Sequence, residues 1–101
     1  MPIASPRYAL NATMVDGAPP DPGIYALWEH EELIYFGHAL GIGATIQSCL
    51  REHLERRDPC SGGATHYGWE ITSNPAARGA ELLREYEHAQ GRLPRCNTRT
   101  A

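Results

Sequence analysis

The sequence predicts a small α/β (α+β) domain with a three-stranded antiparallel sheet flanked by helices, in the order β-β-α-β-α. Three observations carry this expectation. Two runs rich in β-formers, Gly23 to Glu29 and Leu33 to Gly37, stand close together across a short polar connector. Two later stretches space their apolar residues as helices do, and a third β-rich run falls between them. The chain has 101 residues and is 42% apolar, which suits one domain with a modest core and leaves no room for two.

Taken in order, residues 1–21 form an irregular Pro-rich lead-in holding Pro2, Pro6, Pro19 and Pro20, with a short helical turn expected around Tyr8 to Thr13. The domain proper is expected over 22–98. Gly23-Ile-Tyr-Ala-Leu-Trp-Glu29 follows directly on Pro22, a natural strand opening. His30-Glu31-Glu32 connects it to Leu33-Ile-Tyr-Phe-Gly37, so the pair reads as a hairpin buried on both sides. After a loop with two glycines, Ile46, Leu50 and Leu54 recur at helical spacing within a helix expected from about Ala44 to Arg57. Tyr67 to Thr72 is the third strand. Asn74-Pro75 is an N-cap followed by proline at the first helical position, and the helix from Ala76 to Gln90 ends at Gly91, a left-handed terminator. Trp28 and Trp69, each on an expected strand, read as core residues.

Lysine is absent, and nine arginines face twelve acids for a net charge of −3. The first fifty residues hold one Arg against five acids, the rest eight Arg against seven. An acidic total lacks the electrostatic footprint of a strong non-specific DNA binder. No apolar run approaches the roughly 20 residues of a membrane span, and the N-terminus has no apolar core of a signal peptide, so a cytoplasmic protein without membrane contact is expected. Cys49, Cys60 and Cys96 show no zinc-site spacing and are expected to be reduced thiols.

Gly23-Ile24-Tyr25 and, on the next strand, Tyr35-Phe36-Gly37 closely resemble the signature of the GIY-YIG nuclease family, with Phe36 in place of the usual aliphatic residue. The resemblance continues through Leu50-Arg-Glu-His53-Leu54, a strand, a helix and Leu93-Pro94-Arg95-Cys96-Asn97, and covers about residues 21–98. It implies phosphodiester hydrolysis of DNA with one divalent metal, Mg or Mn. By that resemblance Tyr25 and Tyr35 would handle the attacking water and scissile phosphate, His53 would assist, and Asn97 would shape the site beside Gly37 and His38. A base, a cation on the developing charge and a metal acting as Lewis acid form a coherent hydrolytic set.

Two positions depart from that pattern. The phosphate-steadying Arg is expected four residues before His53, where Cys49 stands. At about 100° per residue, Arg51 lies about 160° around the helix from Cys49, whereas Arg56 lies within about 20° but roughly 10 Å further along. Arg56 is therefore the better displaced partner and Arg51 the lesser, a substrate-binding candidate at most. The metal-holding Glu is expected three residues before Leu82-Leu83, where Gly79 stands. Glu81 is the nearest carboxylate and the candidate metal ligand, yet it lies about 200° from Gly79 on the helix. Losing one such cation at the transition state costs about 10²–10³ in rate. Two readings therefore remain open: a working nuclease using Tyr25, Tyr35, His53, Arg56 and Glu81, or a catalytically degenerate scaffold that binds nucleic acid or a protein without cutting.

Overall fold

A computed structural model describes residues 6–56 and 59–97, apart from the side chain of Arg56. The expected helix end at Arg57, and residue 98 of the expected domain, lie outside the described residues. Seven elements follow in order: β1 (Tyr8–Ala9), α1 (Ala12–Asp16), β2 (Gly23–Glu29), β3 (Glu32–Ala39), α2 (Ile46–Arg56), β4 (His66–Ile71) and α3 (Pro75–Gln90). The α+β class is as expected, but the antiparallel sheet has four strands, ordered β1-β4-β2-β3, where three were expected.

The extra strand comes from the lead-in. Tyr8 and Ala9 pair with Tyr67 and His66 of β4, and Leu10 donates its N–H to the Thr65 carbonyl at 2.9 Å. Asn11 then caps α1, its side chain accepting from Met14 N–H at 2.9 Å. The Tyr67 hydroxyl donates to the Met14 carbonyl at 2.7 Å, so β4 holds this short helix in place. Two residues of strand and five of helix are too short to leave a period in the sequence, which is why the segment read as irregular.

Strand β2 is central, and Ile24, Tyr25, Ala26, Leu27 and Trp28 are all buried. Alternation sends Tyr25 and Leu27 to one face and Ile24 and Ala26 to the other. Helices α1 and α2 cover the first face, where Val15, Ile46, Leu50 and Tyr67 complete the larger core. Helix α3 covers the second, packing Leu82, Leu83 and Tyr86 on Ile24, Ala26, Trp28 and Phe36. Thr45 opens α2 reciprocally: Ser48 N–H donates to Thr45 Oγ1 at 3.0 Å and Thr45 N–H to Ser48 Oγ at 2.9 Å. Asn74, Pro75 and Gly91 (φ 77°) bound α3 as the sequence predicts.

The edge of β3 away from β2 is met by Cys96 and Asn97. Cys96 N–H donates to the Ile34 carbonyl at 2.8 Å. Asn97 Oδ1 accepts from Phe36 N–H at 2.8 Å while its Nδ2 donates to the Phe36 carbonyl at 3.0 Å, so one side-chain amide replaces a neighbouring strand. Cys96 is disulfide-bonded to Cys60, which corrects the expectation of three reduced thiols; Cys49 alone is free. Thirty-six residues separate the pair in sequence, and only the fold brings their Cα atoms to 5.6 Å. No helix among the described residues is long and apolar enough to cross a membrane.

Candidate functional site

The two signature tripeptides lie side by side. Tyr25 pairs with Gly37 across the β2–β3 ladder, and Tyr35 stands two residues back on the same face, opposite Leu27. Gly37 is needed here, because a Cβ at that position would stand 2.3 Å from Tyr25 Cζ. With no side chain in the way, the Tyr25 ring lies back over β3 and meets Tyr35, their centroids 6.1 Å apart and inclined at 51°.

Helix α2 brings His53 down onto this pair. Its ring centroid lies 5.5 Å from that of Tyr25 and 5.6 Å from that of Tyr35. His53 Nε2 is hydrogen-bonded to the Tyr25 hydroxyl at 3.0 Å, and Nδ1 to the Ser61 hydroxyl at 3.3 Å. Ser61, on the loop after α2, is buried and was not singled out from sequence. A serine in a Gly-rich loop carries no period or motif that would mark it.

Burial holds the Tyr25 phenol well above its ordinary range, and the neighbouring Tyr35, Cys49 and Glu52 push the same way. Tyr25 thus keeps its proton and acts as a hydrogen-bonding phenol. Burial, with the Glu52 charge, also raises the Cys49 thiol, which a hydrogen bond with Ser48 partly offsets. A protonated, half-buried thiol is a poor nucleophile. Glu52 is the carboxylate whose charge reaches Tyr25 and Cys49. The sequence signal for it is its place three residues after Cys49, hence on that side of α2.

The remaining sequence-named residues separate from this cluster. Arg51 is ion-paired with Asp16 of α1 at 2.8 Å on the exposed side of α2. Arg56 ends α2, and its side chain lies outside the described residues. His38 pairs with Ile24 on the face that α3 covers, and is exposed. Asn97 is engaged with the Phe36 backbone, so its amide holds the sheet edge. Gly79 is buried against the sheet, and a Cβ there would lie 3.6 Å from Ile24 Cδ1. The position that resemblance assigns to a metal-holding carboxylate is therefore on the opposite face from Tyr25 and Tyr35.

Glu81 is further removed. It is paired with Arg78, whose guanidinium also grips Glu70 through Nε at 2.7 Å and Nη2 at 3.0 Å. These hydrogen bonds raise Arg78 above its already high range. No group of three or more His, Cys, Asp or Glu able to hold a metal occurs among the described residues. A divalent metal on Glu81 does not fit this arrangement, because the carboxylate is engaged on α3, which packs on the other face of the sheet from Tyr25 and Tyr35. Arg92 is paired with Glu32, and Arg95 with Glu29 and Glu32, so these basic side chains are matched by acids.

In comparisons with known proteins, no family model, no curated protein and no solved structure matches this chain.

Proposed function

We propose that this chain is an endonuclease-like domain of the GIY-YIG type, whose cluster of Tyr25, Tyr35 and His53 engages a nucleic-acid phosphodiester. The observation that carries the reading is the hydrogen bond between the Tyr25 hydroxyl and His53 Nε2, with Tyr35 against both rings. It joins three residues, distant in sequence, that the signature assigns to one site. The chemistry they support is a proton relay. As water attacks phosphorus and forms the new P–O bond, its proton passes to the Tyr25 oxygen while the Tyr25 proton passes to His53 Nε2. The displaced alkoxide leaves with its bonding electron pair and is protonated from solvent. This relay uses a neutral phenol, so the raised Tyr25 ionisation does not obstruct it.

One set of observations favours a second reading, in which the domain binds nucleic acid without cutting it. Cys49 and Gly79 stand where Arg and Glu are implied, Glu81 is held by Arg78, and Arg51 by Asp16. The cluster then has no described cation to steady a pentavalent phosphate, a loss that costs about 10²–10³ in rate.

Supercoiled-plasmid nicking with Mg²⁺ or Mn²⁺, run beside oligonucleotide binding, separates the two. Nicking that disappears in Tyr35→Phe establishes the endonuclease reading. Saturable binding without nicking, with nicking gained in Cys49→Arg, establishes the binding scaffold. Absence of both binding and nicking overturns the assignment altogether.

A further inference from the structure

Ser61 is buried, and among the described residues its hydroxyl faces Nδ1 of His53. The loop that carries it is secured on the opposite side of the site from α2. Cys60 precedes Ser61 directly and is bonded to Cys96, whose N–H holds Ile34 of β3, while Asn97 clamps Phe36. Ala64 N–H closes the loop onto the Ser61 carbonyl at 3.0 Å. The Ser61 hydroxyl is thus tied to the strand that carries Tyr35, and it meets a helix residue that touches Tyr25.

Resting on the phosphodiester reading above, the geometry points to Ser61 as the positioning residue of the site. It accepts a hydrogen bond from Nδ1–H of His53 and so leaves Nε2 bare toward the Tyr25 hydroxyl. Which imidazole nitrogen carries the proton is set by the partner of the other. The relay described above passes the Tyr25 proton to His53, so it needs Tyr25 as the donor in the Tyr25–His53 bond and Nε2 as the acceptor. The ring proton then belongs on Nδ1, and Ser61 is the acceptor placed there. A carboxylate in the same place would fix the tautomer more tightly but would add a second anionic group to the Glu52 charge near Tyr25. A hydroxyl fixes it without charge. Among the described residues, Tyr25 from β2 and Tyr35 from β3 lie against this ring, and Cys49 and Glu52 of α2 act on Tyr25 beside it.

Long-range ¹H–¹⁵N spectra of the full chain labelled at histidine nitrogens test this directly. The His53 signals are identified by their loss in His53→Gln. In the native protein at neutral pH the proton is expected on Nδ1. Ser61→Ala is expected to move the ratio of tautomers about tenfold toward Nε2–H, the worth of one ordinary hydrogen bond. Ser61→Thr keeps a hydroxyl and is expected to restore the native pattern. A native ring protonated on Nε2, or an unchanged ratio in Ser61→Ala, overturns the inference. Should Ser61→Ala fail to fold, the native spectrum decides alone. A native Nδ1–H signal in a protein that never nicks DNA upholds the role of Ser61 and overturns only the endonuclease reading.

Discussion

Replacing Gly37 with alanine would place a methyl carbon 2.3 Å from Cζ of Tyr25, 2.5 Å from its hydroxyl oxygen and 2.8 Å from Cε1. The ring must move, and little around it can yield. Tyr25 is 5% exposed, Tyr35 lies on one side, and His53 Nε2 holds the hydroxyl. Overpacking a well-filled core costs typically about 1–3 kcal/mol. Losing the Tyr25–His53 hydrogen bond adds about 1 kcal/mol. A total near 3 kcal/mol corresponds to a fall in Tm of about 10–20 °C for a domain of this size. Urea unfolding of four proteins measures the cause: native, Gly37→Ala, Tyr25→Leu and the double variant. Leucine lacks the three atoms that collide, so Gly37→Ala should cost under about 1 kcal/mol in the Tyr25→Leu background, a coupling of about 2 kcal/mol. If the two changes prove additive, the glycine is not there to admit the tyrosine ring, and the geometry argued for the Tyr25–Tyr35 pair is wrong.

Other expectations rest on separate contacts. Gly79→Ala meets only ordinary van der Waals neighbours, Ile24 Cδ1 at 3.6 Å and His38 Nδ1 at 3.9 Å, so it should stabilise the domain by up to about 1 kcal/mol through helix propensity. A loss of stability on thermal unfolding would show that the α3–sheet spacing is tighter than described. Asn97→Ala removes both bonds to the Phe36 backbone and should cost about 1–3 kcal/mol, with faster amide exchange at Phe36 as the local signature. The Tyr25 phenol keeps its proton in the native state above pH 10, where the unfolded chain gives it up. Its contribution is therefore fully present below about pH 10 and is lost as pH rises, by up to about 1.4 kcal/mol per unit. Urea midpoints between pH 8 and 11 should fall less steeply in Tyr25→Phe than in the native protein.

The sequence by itself determined the elements with a period or a punctuation mark. Ile46, Leu50 and Leu54 mark one buried helix face; Asn74-Pro75 and Gly91 bound another helix; and the β-rich run after Pro22 fills the centre of the sheet. These signals are local, because backbone capping and side-chain alternation act within a few residues. The same locality makes Tyr25 and Tyr35 legible as a pair, since a short hairpin sets their register. The angular argument for Gly79 and Glu81 also survives, because helix geometry alone sends them to different sides.

Tertiary structure decided what depends on residues far apart in the chain. A strand of two residues exists only because β4 offers it a ladder. The Cys60–Cys96 bond exists because the segment carrying Cys96 docks on β3. Asn97, readable as a site residue from its motif, spends its amide on the backbone of Phe36 once that edge needs a partner. Arg51 and Glu81 find Asp16 and Arg78, and Ser61 finds His53. Each of these pairings is a choice among many polar groups with similar intrinsic affinities. It is made by proximity, which the packed sheet and helices confer and which no local pattern encodes.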